Sequence, residues 1–258
     1  DLSLGYNNFT AINSQWFSEN ANLFYLSLQG NRIDLTANNF VGLQQSLRYL
    51  NLGYNEISEI PVGAFAGLEN LSSLQLYGNA IREFQDNIFA GLTELTSLDI
   101  GTNPIESIDD GAFDGLDNLT SLSISSSGIR DLSSISFESL GNLNFLDLNF
   151  NEIEELPAGI FAPLSNLNYI GLWRNRIKTL RRNIFGSLTE LRTIDLDGNI
   201  VNALDRAIID DAVNLNTLYF NGNLCANNYF GNFLISRATY LPMLEGCFRN
   251  MRYIVGKY

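Results

Sequence analysis

No histidine occurs anywhere in the 258 residues, which removes the side chain that most often acts as general base, proton shuttle or metal ligand near neutral pH. Cysteine is almost as scarce: Cys225 and Cys247 are the only two, too few for a zinc site and better suited to pairing with each other than to nucleophilic work. No glycine-rich phosphate loop follows a strand-like segment, and no run of 18 apolar residues is present to span a bilayer as a helix. Basic residues are sparse for most of the length, with 4 Lys and Arg against 21 Asp and Glu between Asp1 and Trp173. A surface of that sign is a poor match for nucleic acid. From Arg174 onward the balance reverses, with 11 basic and 7 acidic residues, so a chain of net charge −13 carries an electrostatic long axis that can orient a charged partner or a second copy.

What is abundant is leucine on a fixed spacing. The stretch from Leu71 to Asn79 reads LSSLQLYGN, with leucine at its first, fourth and sixth positions and asparagine at its ninth. The same frame opens at Leu23, Leu47, Leu95, Leu119, Leu143, Leu167, Leu191 and Leu215, each 24 residues after the last. A regular period of this length is the mark of a repeat architecture whose single core is built by stacking. The fourth and sixth positions alternate with polar or aromatic residues, which predicts a short strand with one face inside. The ninth-position asparagines, Asn31, Asn55, Asn79, Asn103, Asn151, Asn175, Asn199 and Asn223, are expected to satisfy buried backbone groups at the turn after each strand. Ser127 stands in that column once, and its coil is expected to be locally weaker. On the return side Phe65, Phe89, Phe113, Phe137, Phe161 and Phe185 recur with a leucine three residues later, a column that reads as core. Ile209 and Val213 take over from that pair after Leu191.

The fold class is therefore an α/β solenoid, a leucine-rich repeat horseshoe with a parallel sheet on its concave side and turns or short helices on its convex side. Residues 1–223 form about ten coils of 24 residues, the first truncated, and residues 224–258 a capping region. Something is expected to cover the first coil upstream. Cys225 and Cys247 would close a loop in the cap, part of which should be helical and broken near Pro242. The tail from Phe248 to Tyr258, with Arg249, Arg252 and Lys257, is basic and aromatic.

Function is sought on the outward positions of the strands, free to vary without cost to the core. Two aromatic groups stand there. One is Tyr25, Tyr49 and Tyr77. The other is Phe145, Tyr169 and Trp173, accompanied by Asp147, Asp195 and Asp197. Exposed aromatics beside unneutralised acids resemble the centre of a protein interface, although stacked strands also favour aromatics that merely lean on one another. Six of the 15 basic residues, among them Arg174, Arg176, Arg181 and Arg182, fall between Arg174 and Arg192. They suit an acidic partner, a sulphated glycan or the acidic end of another copy, or else a solvated face. Asp147 and Asp195 form the one acid pair to consider for hydrolysis, but an open face encloses no substrate. Asp195 with Asp197 offers too few oxygens for calcium. No catalytic residue, metal or cofactor is assigned. Sequons at Asn8, Asn70 and Asn118, with the paired cysteines, favour a secreted glycoprotein in an oxidising compartment.

Read out in full, LxxLxLxxNxIxxLxxxxFxxLxx resembles the typical 24-residue class of animal extracellular leucine-rich repeat proteins, which includes innate immune receptors, matrix proteins and neuronal adhesion proteins. That class usually carries four cysteines in its carboxyl-terminal cap, where this chain has two. The asparagine-rich repeats and reduced cap look more like the mosquito leucine-rich immune proteins. That resemblance implies secretion, an extracellular protein partner of complement type and pairing through segments beyond the repeats. The readings to separate are a secreted recognition module of innate immunity, a membrane-linked receptor or adhesion ectodomain, and a self-associating structural protein.

Overall fold

The computed structural model describes residues 1–17, 19–37 and 39–255, so Lys257 and Tyr258 of the basic tail lie outside the described residues. The chain divides into two compact units, Asp1–Gly128 with Ser134–Leu140 and Ile129–Ser133 with Gly141–Tyr258.

In the first unit the frame yields parallel strands β1 (Leu2–Ser3), β2 (Tyr25–Ser27), β3 (Tyr49–Asn51) and β4 (Ser73–Gln75), then β6 (Ser97–Asp99) and β8 (Ser121–Ser123). The return side adds a second, two-stranded parallel sheet, β5 (Glu83–Phe84) with β7 (Ser107–Ile108). Register follows the period without slip: Leu26 pairs Leu50, Leu50 pairs Leu74, Leu74 pairs Leu98 and Leu98 pairs Leu122. Each such leucine is fully or almost fully buried, which stabilises by roughly 1.5–3 kcal/mol per side chain before entropy is counted. A one-residue slip would turn the whole leucine set to solvent, so the core itself fixes the register.

The ninth-position asparagines form the expected ladder. Asn55 donates from Nδ2 to the carbonyls of Leu52 in its own coil and Leu28 in the coil before, at 3.0 and 3.1 Å, while its Oδ1 accepts the Ile33 N–H at 3.0 Å. Asn79 and Asn103 repeat the pattern. At Ser127 the hydroxyl donates to the Ser125 carbonyl instead, and the Ile105 N–H turns to the backbone carbonyls of Asn103 and Ser127. Behind the strands, Phe65, Phe89 and Phe113 stack with ring centroids 6.5 Å apart. The segments that carry them are chains of turns, as where Leu68 N–H reaches the Phe65 carbonyl.

The second unit continues the same grammar with β9 (Phe145–Asp147), β10 (Tyr169–Gly171), β12 (Thr193–Asp195) and β14 (Thr217–Phe220), parallel and in register, and a return-side pair β11 (Thr179–Leu180) with β13 (Ala203–Leu204). In the last return segment a helix replaces the phenylalanine turn: α1 (Arg206–Asp211) starts where the Asp205 side chain accepts the Ala207 N–H, the usual N-cap arrangement. Ile209 is buried there as expected, but Val213 is more than half exposed and Ala212 fills the second core position. Ala212 stands three residues after Ile209 and 24 after Leu188, so the frame holds through the helix and position 213 falls one residue past the core column.

After Asn223 the chain reverses. Strand β15 (Asn228–Phe230) pairs antiparallel with β14, and α2 (Phe233–Tyr240), a short 3-10 turn at Leu241–Leu244 and α3 (Glu245–Val255) follow. Pro242 lies in that turn, where its missing N–H interrupts the two helices. Phe230, Phe233, Leu244, Phe248 and Met251 are buried between these elements and the last coil, α3 packs along β13, and a Cys225–Cys247 disulfide ties the start of the region to α3.

Candidate recognition face

Outward residues of the second unit gather on its sheet face. Strand pairing sets Tyr169 beside Phe145, and their rings stack at 4.7 Å with planes 8° apart. Gly171 lies between Asp147 and Asp195 in the next column, and the Asn149 side chain occupies the space a Cβ would need there, 2.7 Å from its Nδ2. From that position Asn149 Oδ1 accepts the Trp173 N–H at 2.7 Å, and its side chain also hydrogen-bonds the Tyr169 hydroxyl. One asparagine thus fixes both aromatic residues.

Three aspartates surround them. Asp147 accepts the Asn149 N–H at 2.9 Å and Asp195 the Asp197 N–H at 3.1 Å. Asp197 accepts the backbone N–H of Asn221 at 2.6 Å and its side-chain amide at 3.0 Å. Desolvation holds the Asp195 carboxyl above its ordinary pKa, more than its backbone hydrogen bond lowers it, and the Asp197 and Asp147 charges push it the same way. The Tyr169 phenol is raised by desolvation first and then by Asp195 and Asp147, against the Asn149 hydrogen bond. Negative potential therefore converges in front of Tyr169.

Trp173 faces the rim. Its ring meets Phe150 edge-on at 4.4 Å, and the Arg174 guanidinium carbon lies 5.4 Å from the Trp173 ring and 5.5 Å from Phe150, within cation–π range. Phe150 and Arg174 occupy the eighth frame position, as do Tyr6 and Tyr54, and all four have φ between 50° and 56°. A non-glycine residue there costs about 1–2 kcal/mol, and glycine stands at the same frame position in Gly30, Gly78, Gly198 and Gly222. Phe150 and Tyr54 were not singled out from sequence, because strand alternation does not extend to that position. The signal was an aromatic where the left-handed turn favours glycine.

The other expected residues are spread out. In the first unit Tyr25 and Tyr49 are strand neighbours on the exposed face. Tyr49 packs on Phe24, and Tyr77 turns to Tyr54 at 5.2 Å with its ring over Gly53. The basic run divides by side of the coil. Arg174 lies on the aromatics, Arg176 pairs with Glu152 at 3.2 Å, and Lys178 pairs with Glu154, whose carboxyl is lowered mainly by that hydrogen bond. Arg181, Arg182 and Arg192 are exposed, the last just before β12. Asn8 is exposed. Asn70 and Asn118 donate from Nδ2 to the Gln45 and Thr93 carbonyls of the preceding coil, a bond that Asn166 and Asn214 make outside any sequon. Among the described residues no group of three or more Cys, Asp or Glu side chains is placed to hold a metal, and no helix is long and apolar enough to cross a membrane.

Among curated proteins, none matches this chain. Solved structures of similar fold include a leucine-rich repeat protein of Leptospira interrogans, 27% identical with a TM-score of 0.69 over 84% of this chain and 53% of that one. TLR13, in a complex with ssRNA13, is 25% identical with a TM-score of 0.57 over 86% of this chain and 40% of its own. The leucine-rich repeat domain of APL1B, 18% identical, shares the fold with a TM-score of 0.64 over 86% of this chain and 64% of its own. This chain thus spans between 40% and 64% of the length of these three structures. The leucine rich repeat family model matches residues 45–105, 93–153, 142–201 and 165–225, so with its 24-residue register and stacked parallel strands the chain belongs to the leucine rich repeat family.

Proposed function

We propose that this chain is a non-enzymatic, secreted recognition module of innate-immune type, binding an extracellular protein through the sheet face around Tyr169 and Trp173. The observation that carries the reading is the stack of exposed Phe145 on half-buried Tyr169, the latter held with Trp173 by Asn149 and bordered by aspartates. Aromatic anchors on a rigid scaffold are the usual source of binding energy at protein interfaces, and a stacked solenoid loses little freedom on binding. The likeness to TLR13 at 25% identity supports an immune setting, and the asparagine-rich repeats with a two-cysteine cap are the sequence features that resemble the mosquito leucine-rich immune proteins. Residues 1–223 would carry recognition and residues 224–258 would seal the stack. The TLR13 structure contains RNA, but here three aspartates border the aromatics, and phosphate would be repelled. A protein ligand fits better.

Native extracellular fluid passed over the immobilised chain and over a Tyr169→Ala/Trp173→Ala variant tests this, with bound proteins identified by mass spectrometry. Loss of a major partner from a variant that still melts normally is expected, on the order of 30-fold for truncation of central aromatics. A partner kept equally by both forms would move the interface to the exposed arginines Arg181 and Arg182.

A further inference from the structure

The charges of the second unit are sorted. On β9, β10, β12 and β14 the outward positions of the third, fifth and seventh columns include Asp147, Asp195 and Asp197 and no lysine or arginine. Yet 11 of the chain's 15 basic residues lie between Arg174 and the carboxyl end. Those among the described residues lie outside these outward columns. Arg176, Lys178 and Arg237 are paired there with Glu152, Glu154 and Asp210, whereas neither Asp195 nor Asp197 has an ion-pair partner among the described residues. In the neighbouring outward column lie the rings of Phe145 and Tyr169, stacked on one another. Aromatic faces and carboxylates attract the same kind of group, a positive side chain with an apolar stem.

We propose that the sheet face of the second unit selects a cationic segment of its protein partner, seating an arginine or lysine side chain on the Phe145–Tyr169 stack between Asp147 and Asp195. The inference rests on the proposed function and adds the chemistry of the ligand. Planar guanidinium is the better fit, since it stacks on a ring while its edge reaches carboxylates on either side. Asp195 supports the assignment: burial disfavours its charge in the free protein, and a cation in front of it would reverse that. Retention of a desolvated carboxylate beside exposed aromatics is a pattern of functional surfaces.

Fluorescence anisotropy with a labelled peptide of alternating arginine and glycine, and its counterpart with neutral citrulline, tests the proposal on the whole chain. The arginine peptide is expected to bind at least tenfold more tightly than the citrulline peptide and to weaken as salt rises. Asp147→Asn/Asp195→Asn, which keeps the acceptor oxygens of both turns, should abolish the difference, whereas Asp109→Asn/Asp110→Asn, two exposed acids off this face, should leave it unchanged. Equal affinity for the two peptides, no binding of either, or the same loss in both variants would overturn the inference. Sedimentation of the wild type gives a separate check: self-association broken by Asp147→Asn/Asp195→Asn would make the occupant a second copy and overturn it as well. A native partner lost with Tyr169→Ala/Trp173→Ala while no arginine preference is seen would leave the face as the binding site and remove only its selectivity for cations.

Discussion

Asp195 illustrates how a single side chain on this face is weighted. Its Oδ1 holds the turn to Asp197, and burial keeps its pKa above the ordinary carboxylate value. A raised carboxyl pKa means that the folded state takes up a proton more readily than the unfolded one. This group therefore lowers stability at neutral pH, and the deficit disappears as pH falls through its folded pKa toward the unfolded value. Asp195→Asn should accordingly raise the melting temperature at pH 7, with a gain that shrinks to nothing at about pH 3, below the ordinary carboxyl range. Thermal melts at the two pH values decide it. A constant gain would mean that packing, not charge, is responsible. Ser127 gives a second test at this scale. The Ser127 hydroxyl donates within its own coil to Ser125, where the longer Asn55 amide reaches carbonyls of two coils and accepts an N–H from the coil before, so Ser127→Asn should stabilise by about 1 kcal/mol, read from denaturant midpoints at unchanged m-value.

The asparagine ladder acts as an element in its own right. Asn175 donates to the carbonyls of Leu148 and Leu172 and accepts from Ile153 N–H, all buried. Asn151 and Asn199 also donate to the Leu148 and Leu172 carbonyls, so Asn175→Ala would leave the Ile153 N–H without its acceptor and thin the ladder on either side, and a loss of about 1–3 kcal/mol is expected. The cap is held differently. Its disulfide closes a loop with a sequence separation of 22, which on a chain-entropy account contributes about 3 kcal/mol. Cys225→Ser/Cys247→Ser should lower stability by that order, and early protease cleavage in residues 224–255 would show whether the cap loosens first. Both elements were legible in sequence because position alone defined them: asparagine always ninth, cysteines beyond the last frame. The site was legible in part. Strand alternation placed Phe145, Tyr169 and the aspartates on one face, since period two is enough to sort inside from outside. It could not show Asn149 reaching across Gly171 or Phe150 meeting Trp173, because those contacts join residues 22 and 23 apart, nor Arg174 folding back on Trp173, which depends on the left-handed turn between strand and return. The antiparallel β15 was hidden because it begins where the repeat stops dictating the path; Ala212, by contrast, was in frame, three residues after Ile209, and the larger Val213 beside it drew the reading away.

At the scale of the whole molecule, net charge outweighs the ion pairs. Arg32–Glu56, Arg82–Glu106 and Arg130–Glu152 link successive coils, with most of these side chains well exposed, and pairs of that kind contribute about 0–1 kcal/mol. Against them stands the mutual repulsion of a chain with net charge −13. Salt screens both, so raising the ionic strength from about 0.05 to 0.3 M should raise the melting temperature by a few degrees. A fall would show that the lateral pairs hold more than their exposure suggests.

The left-handed eighth position has a consequence for how such a chain can change. Tyr6 lies over Gly30 and Tyr54 over Gly78, where an added Cβ would come within 2.6 and 2.5 Å of the rings, and Arg174 lies over Gly198 at 3.2 Å. At these three places a bulky residue in one coil leaves no room for a side chain in the next, whereas Phe150 and Arg174 stand together in consecutive coils. The coils look like interchangeable modules, but they are not. Unequal crossing-over that parted Tyr6, Tyr54 or Arg174 from the glycine after it would bring a large residue against a side chain, so those three coils are heritable only with their successors.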